Sequence, residues 1–339
     1  MAYQFKNDYS ELAHPDILNA LMKYSKEQNV TYGLDYHSKN AEELIKKTFN
    51  SKNGKVYFFA GGTQTNMTFI SYCLKPYEAV ISINGGHINV HETGSVEGSG
   101  HKIIAVNGRN GKIYPKDIIE VMNSFNDEHM VKPKMVYISN STEIGTIYSK
   151  QELLELREIT NKYGLYLFLD GARLASALTS KENDVDPTLL GEIVDAFYVG
   201  GTKNGLLFGE ALVVNNPKLQ EDFRYHIKNK GAMLAKGYAV GIQFEEAFRS
   251  GLYFELAKKA NLTADMIREA FKELNIKMID SPTNQVFGYF KKDKALKIVD
   301  KFGVEIWSKE DDVYCLRFVT SFLSEKEDID VLINYLREI

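Results

Sequence analysis

The residue pattern calls for an α/β protein: a large domain built on a mostly parallel seven-stranded sheet, followed by a smaller α+β domain. Two observations carry this. Strand-length runs rich in β-branched and aromatic residues, at 56–60, 79–83, 103–106, 135–139, 165–169, 196–200 and 211–214, alternate with amphipathic segments. Several runs are apolar throughout rather than at every second residue, as in strands covered on both faces by helices.

Taken in order, the run at 56–60 enters Gly61-Gly62-Thr63 and then a helix expected over 67–74. Between the runs at 135–139 and 165–169, Leu153, Leu154, Leu156, Ile159 and Tyr163 trace a helical stripe. Ser149 and Glu152 form a Ser-x-x-Glu capping box at its start, and Gly164 stands where a C-terminal cap belongs. After about Gly231 the texture changes. A helical stretch is expected from about Ala232 to Asn275 with a break near Gly251, then β-like pieces at 285–290 and 314–320. A last helix is expected from Ser324, with Ser324 and Glu327 as its capping box. The expected division is 1–240 for the N-terminal segment and large domain and 241–339 for the small one, with no linker-like tract between them.

Composition narrows the function. The chain has 339 residues, 44% of them hydrophobic, enough for a sizeable core. Its 41 basic and 45 acidic residues give a formal net charge of −4 with no basic stripe, which argues against nucleic acid as a partner. No apolar run reaches the roughly 18 residues of a membrane span, so no membrane partner is expected. The opening residues lack the apolar core of a secretory signal, and the two cysteines, Cys73 and Cys315, lie far apart. Both features predict a cytoplasmic protein. Its seven histidines include no HExxH pair, and no metal is expected.

Four segments follow predicted strands and point to one chemistry. In Leu169-Asp170-Gly171-Ala172 a buried strand delivers a carboxylate at its C-terminal end, where open α/β sheets place ligands. A carboxylate there can keep a pyridine nitrogen protonated; capping the next helix is the plainer use. In Gly200-Gly201-Thr202-Lys203-Asn204-Gly205 a lysine sits among small residues that let a planar aldehyde approach, and burial would free its amine as a nucleophile. Taken alone it is a surface lysine in a glycine-rich turn; the pairing with Asp170 singles it out. The Gly62-Thr63 turn before a helix suits a phosphate, as does the Thr202 hydroxyl. His87, after Gly85-Gly86, can stack on a pyridine ring or carry a proton, with His91 and Glu92 close by. Together these specify pyridoxal-5′-phosphate, with Lys203 as the Schiff-base lysine and Asp170 on the ring nitrogen. Arg173, and Arg317 inside an apolar strand, are candidate clamps for a carboxylate; for Arg317 the exposed face of an edge strand is the alternative.

These residues resemble a known family. The run Asp170-Gly171-Ala172-Arg173, the Lys203 segment, the Gly62-Thr63 turn and His87…Glu92-x-Gly94 are similar to the low-specificity L-threonine aldolases, of the beta-eliminating lyase group. The segments 139–148 and 317–322 extend the likeness over nearly the whole chain. The resemblance implies the aspartate-aminotransferase-like fold type I of pyridoxal-phosphate enzymes and cleavage of β-hydroxy-α-amino acids to glycine and an aldehyde. It implies that Lys203 binds the cofactor, Asp170 pairs with its nitrogen, Gly62 and Thr63 hold phosphate and His87 stacks on the ring. It assigns the substrate carboxylate to Arg173 and Arg317 and implies a homodimer or homotetramer in which Tyr32 and Tyr36 complete a neighbour's site. At Asn7 relatives tend to carry serine at a substrate contact, and some carry arginine near Tyr238; both departures bear on substrate range. His87 is the candidate base for the substrate hydroxyl. The alternatives are a β-eliminating lyase or aminotransferase on the same scaffold, and a catalytically silent binding protein. A nucleotide-binding protein is disfavoured by the lack of a Gly-x-Gly-x-x-Gly turn or P-loop.

Overall fold

The computed structural model describes residues 3–339. The large sheet comprises β1 (Lys55–Phe59), β2 (Glu78–Ile83), β3 (Ile103–Val106), β4 (Lys132–Ser139), β5 (Tyr166–Asp170), β6 (Ala196–Gly200) and β7 (Glu210–Val214), in the order β1-β7-β6-β5-β4-β2-β3. Neighbours pair in parallel except β7, which is antiparallel to both β6 and β1. Residues 201–209 explain the exception: a parallel return needs a crossover of a dozen or more residues, and this turn is shorter.

The continuous apolar runs are explained by the two faces. Ile81, Val136, Leu167, Phe197 and Val213 belong to one buried cluster; Val80, Tyr137, Phe168, Tyr198 and Leu212, one residue out of phase, belong to another. The helix Lys150–Tyr163 begins as expected: the Ser149 hydroxyl accepts the Glu152 N–H, the Glu152 carboxylate accepts the Ser149 N–H, and Gly164 closes the other end at φ 63°.

The C-terminal sheet has β8 (Gln285–Lys291), β9 (Glu305–Glu310) and β10 (Val313–Val319), antiparallel in the order β8-β10-β9. It packs on helices Leu252–Glu273, Lys292–Phe302 and Lys326–Glu338 through a third core that includes Phe271, Leu316, Ile329 and Leu332. Phe5 of the N-terminal segment joins that core, and its backbone bonds Phe302 and Val319. That anchor brings Asn7 and Asp8 up to the mouth of the large sheet.

Several expected boundaries move. The helix placed at 67–74 spans Gly62–Cys73, so the glycine–threonine turn is its first turn. The stretch from Ala232 is helical only from Tyr238, as Tyr238–Arg249 and Leu252–Glu273. The last helix does not start at Ser324: Glu325 is its cap, in a box with Asp328, while the buried Ser324 hydroxyl accepts the Ser321 N–H. A carboxylate caps a helix start as well as a hydroxyl does, so the motif sits one residue later. Strand β9 was not anticipated; Glu305-Ile306-Trp307-Ser308-Lys309-Glu310 is polar and half-exposed, so it lacks an apolar signature. Among the described residues no helix is long and apolar enough to cross a membrane.

Candidate active site

Five chain segments leave the C-terminal ends of β1, β2, β4, β5 and β6 and converge on one cavity of about 350 Å³. Asp170 ends β5 there, buried at 3% exposure. Its Oδ2 accepts from Tyr137 Oη at 2.5 Å and Asn66 Nδ2 at 3.0 Å; its Oδ1 accepts from Tyr198 Oη at 2.5 Å and the Ala172 N–H at 3.0 Å. Burial works against the charged form, but nearby His87 and the hydroxyl and amide donors outweigh it and hold the carboxyl below its ordinary range.

Lys203 lies in the β6–β7 turn on the wall of the same cavity. Burial, reinforced by Arg173, pushes its amine below the usual lysine range. The turn can pass so close only because its supports lack side chains: a Cβ on Gly171 would stand 1.8 Å from the Tyr198 carbonyl oxygen, and one on Gly200 2.4 Å from that of Ala172.

Gly62 and Thr63 open the helix Gly62–Cys73 at the cavity edge, presenting first-turn N–H groups. Thr202 is already engaged: its Oγ accepts the Gly209 N–H at 3.0 Å and its hydroxyl bonds the buried Glu210. Burial raises the Glu210 carboxyl to about 7. His87 Nδ1 lies 2.7 Å from Glu92 Oε1, a buried carboxylate, so the ring is held by its inner nitrogen. Asn66 donates to both Glu92 (2.8 Å) and Asp170 (3.0 Å), joining the histidine and aspartate in one network.

A second cavity of about 320 Å³ adjoins the first and is lined by Asn7, Trp307 and Arg317 among others. Arg173 lines both, but its fork is occupied: Nε and Nη2 donate to Asp8 Oδ2 and Oδ1 at 2.7 and 2.9 Å. Arg317 lies on the central strand of its sheet, not an edge; it pairs with Glu305, donates to Gln285 at 3.3 Å and stacks 5.2 Å from the Trp307 ring. Asn7 accepts from the Tyr9 N–H and the Ser10 hydroxyl, shaping the N-terminal turn. Tyr32 and Tyr36 line neither cavity of this chain: Tyr32 bonds Ala235, and Tyr36 is 67% exposed.

Tyr137, Tyr198, Asn66, Asp8, Glu143 and Glu210 escaped sequence reasoning. The two tyrosines stand in apolar strands and read as core; the available signal was their spacing, two residues before Ser139 and Gly200, which puts all four on one side of the sheet.

The residues fit pyridoxal phosphate. The cavity offers a helix start for phosphate, a carboxylate for a ring nitrogen and an amine for an aldehyde. The buried Ser141 hydroxyl in its wall has no protein partner among the described residues, as expected of a group reserved for a ligand.

A family model described as beta-eliminating lyase matches residues 12–293, and the chain belongs to that family. Within it the chain groups with the threonine aldolases: the solved structure of a Leishmania major threonine aldolase is 39% identical, covers 99% of each chain and gives a TM-score of 0.97. A low specificity L-threonine aldolase from a Pseudomonas species is 29% identical over 266 residues, 78% of this chain and 77% of its own. In fold alone the chain also matches cystalysin from Treponema denticola, whose structure contains pyridoxal 5′-phosphate: TM-score 0.73, 14% identity, 99% of this chain and 91% of that one.

Proposed function

We propose that the protein is a pyridoxal-5′-phosphate-dependent aldolase cleaving β-hydroxy-α-amino acids, of the L-threonine, L-allo-threonine or L-phenylserine type, to glycine and an aldehyde. The observation that carries this is the convergence of Asp170, Lys203 and the Gly62–Thr63 helix start on one cavity, in a chain similar throughout to a threonine aldolase. The bound cofactor supplies an electron sink for the pair released when Cα–Cβ breaks. Lys203 holds the cofactor through its amine, which its depressed pKa keeps available. Asp170, kept ionised, holds the proton on the ring nitrogen. Gly62 and Thr63 take the phosphate, with the Thr202 hydroxyl reaching it only by leaving Glu210. His87, steadied by Glu92, lies against the ring. Arg317, and Arg173 through the Nη1 that Asp8 does not engage, face the space beside Lys203 and orient the amino acid by its carboxylate; orientation of the breaking bond is worth much of the rate.

The test is to incubate the purified protein with pyridoxal phosphate and each of the three amino acids and assay glycine and the matching aldehyde, with Lys203→Ala as control. Both products, lost in the variant, are expected. Cofactor colour without them would move the reaction to β-elimination or transamination; no cofactor binding would end the site assignment.

The same reading makes the protein a cytoplasmic homodimer or homotetramer, with a large unit at 1–240 and a small one at 241–339. Support comes from the exposed apolar row Val30 (63%), Tyr32 (38%), Leu34 (49%) and Tyr36 (67%), which suits burial against a second copy rather than water. Sedimentation equilibrium should give two or four chains, and Tyr36→Asp should lower that number.

A further inference from the structure

The aldol step requires a base for the substrate hydroxyl, and the segment after β4 supplies one that the roles above leave unused. Glu143 Oε1 accepts from the Ser139 hydroxyl at 2.7 Å and from the His87 N–H at 3.0 Å. Ser139 stands in register with Asp170 across β4 and β5, so this anchor lies level with the Asp170 carboxylate at the end of the sheet. Both anchors fall on one oxygen, and neither engages Oε2.

Six residues line both cavities: Tyr9, His87, His91, Glu143, Arg173 and Lys203. Arg173 is a cation suited to a carboxylate, the Lys203 amine is taken up with the aldehyde of the cofactor, and Tyr9 carries a phenol rather than a carboxylate. His87 has one ring nitrogen committed to Glu92. His91 is weakened as a base by burial and by His87, Arg317 and Lys203 around it. Glu143 is the one carboxylate among the six, in cavities that Arg173, Lys203 and, in the second, Arg317 also line.

Resting on the aldolase reading, we propose that Glu143 is the catalytic base for the β-hydroxyl. Its carboxylate takes the hydroxyl proton, the O–H electron pair becomes the second C–O bond of the aldehyde, and the Cα–Cβ pair stays with the glycine fragment. Protonated Glu143 returns that proton to the aldehyde oxygen in the reverse direction. The groups facing it are Asp170 on β5, Tyr137 on β4, Tyr148 before the next helix and His87 after β2. Burial, helped by Asp170, raises the carboxyl above its ordinary range, partly offset by the Ser139 hydroxyl and backbone N–H groups. A base so tuned works closer to neutral pH than a free glutamate.

The experiment compares wild-type holoenzyme with Glu143→Gln, Glu143→Asp and His91→Asn on the best of the three substrates, and measures exchange of the glycine Cα–H in D2O by NMR. Exchange uses the same cofactor and carboxylate clamp but involves no hydroxyl. For Glu143→Gln, cleavage should fall at least about a hundredfold while exchange falls less than about tenfold, the size expected for a lost general base. The acidic limb of the kcat/KM profile should disappear in Glu143→Gln, persist in His91→Asn, and return with part of the rate in Glu143→Asp. Cleavage by Glu143→Gln within about threefold of wild type would overturn the proposal, as would equal loss of cleavage and exchange. A wild type that makes no glycine from any substrate would overturn the aldolase reading itself, whereas the other adverse results leave that reading standing.

Discussion

Arg173 and Asp8 meet fork to fork: two guanidinium nitrogens donate to two carboxylate oxygens at 2.7 and 2.9 Å, with Asp8 only 2% exposed and also accepting from Asn284. A residue of the N-terminal segment thereby braces a side chain that follows a strand of the large sheet. Bidentate charged pairs of this kind fix geometry as well as contributing energy.

Removing the anion while keeping its shape, as in Asp8→Asn, leaves Arg173 buried without its counter-charge. The variant should lose about 3 kcal/mol in urea unfolding at neutral pH. Burial opposes the Asp8 charge, but Arg173, Lys203 and the Asn284 amide outweigh it and lower its pKa. A lowered folded-state pKa means the pair's contribution is complete above the unfolded value of about 3.9 and is lost as pH falls through the folded one. The gap between wild type and variant should therefore close on acidification; a gap independent of pH would show that charge is not the cause.

Asp170→Asn replaces the carboxylate while keeping most of its size. Lys203 and the helix start remain, so the protein should still take up the cofactor, seen by its absorption. Glycine production should fall about a hundredfold or more, the scale of removing one well-placed electrostatic group. An active Asp170→Asn enzyme would mean that the ring nitrogen needs no anion.

Asn66 separates two buried carboxylates by donating to both Glu92 and Asp170. Asn66→Ala should fold with stability lowered by about 2 kcal/mol, the cost of unsatisfied buried acceptors. Asn66→Asp adds a third negative charge and should yield little soluble protein. Equal stability of the two in thermal melts would discount the charge argument.

At His37, buried between Glu27 (2.9 Å) and Glu245 (2.5 Å), burial alone would lower the pKa, but the two carboxylates raise it above the ordinary histidine value. Stability from the charged ring is then complete below about 6.5 and lost as pH rises through the higher folded value. The melting temperature of wild type should exceed that of His37→Gln most at pH 6, with the difference shrinking towards pH 9.

Gly171→Ala is the sharpest test of the architecture. Its Cβ would fall 1.8 Å from a backbone oxygen of β6, which no side-chain rotation relieves. The variant should lose at least about 3 kcal/mol or fail to accumulate, as overpacked cores do; near-normal stability would mean that β5 and β6 are less tightly apposed at this point.

By itself, the order of residues determined the α/β class, the seven strands of the large sheet and the places of Asp170, Lys203, Gly62, Thr63 and His87. Each of these follows a strand, and periodicity, glycines and capping residues are local features that a linear chain displays. Tertiary structure alone decided which groups hold them. Tyr137 and Tyr198 look like any core aromatics until strand register brings both hydroxyls to Asp170, and Asp8 looks like a surface charge until Phe5 anchors its segment in a distant core. The direction of β7, the partner of Arg173 and the seat of Glu143 between two cavities are likewise set by contacts between residues far apart in sequence. Such contacts are determined by close packing and by the need of every buried charge and polar group for a partner, conditions met only once the whole chain is assembled.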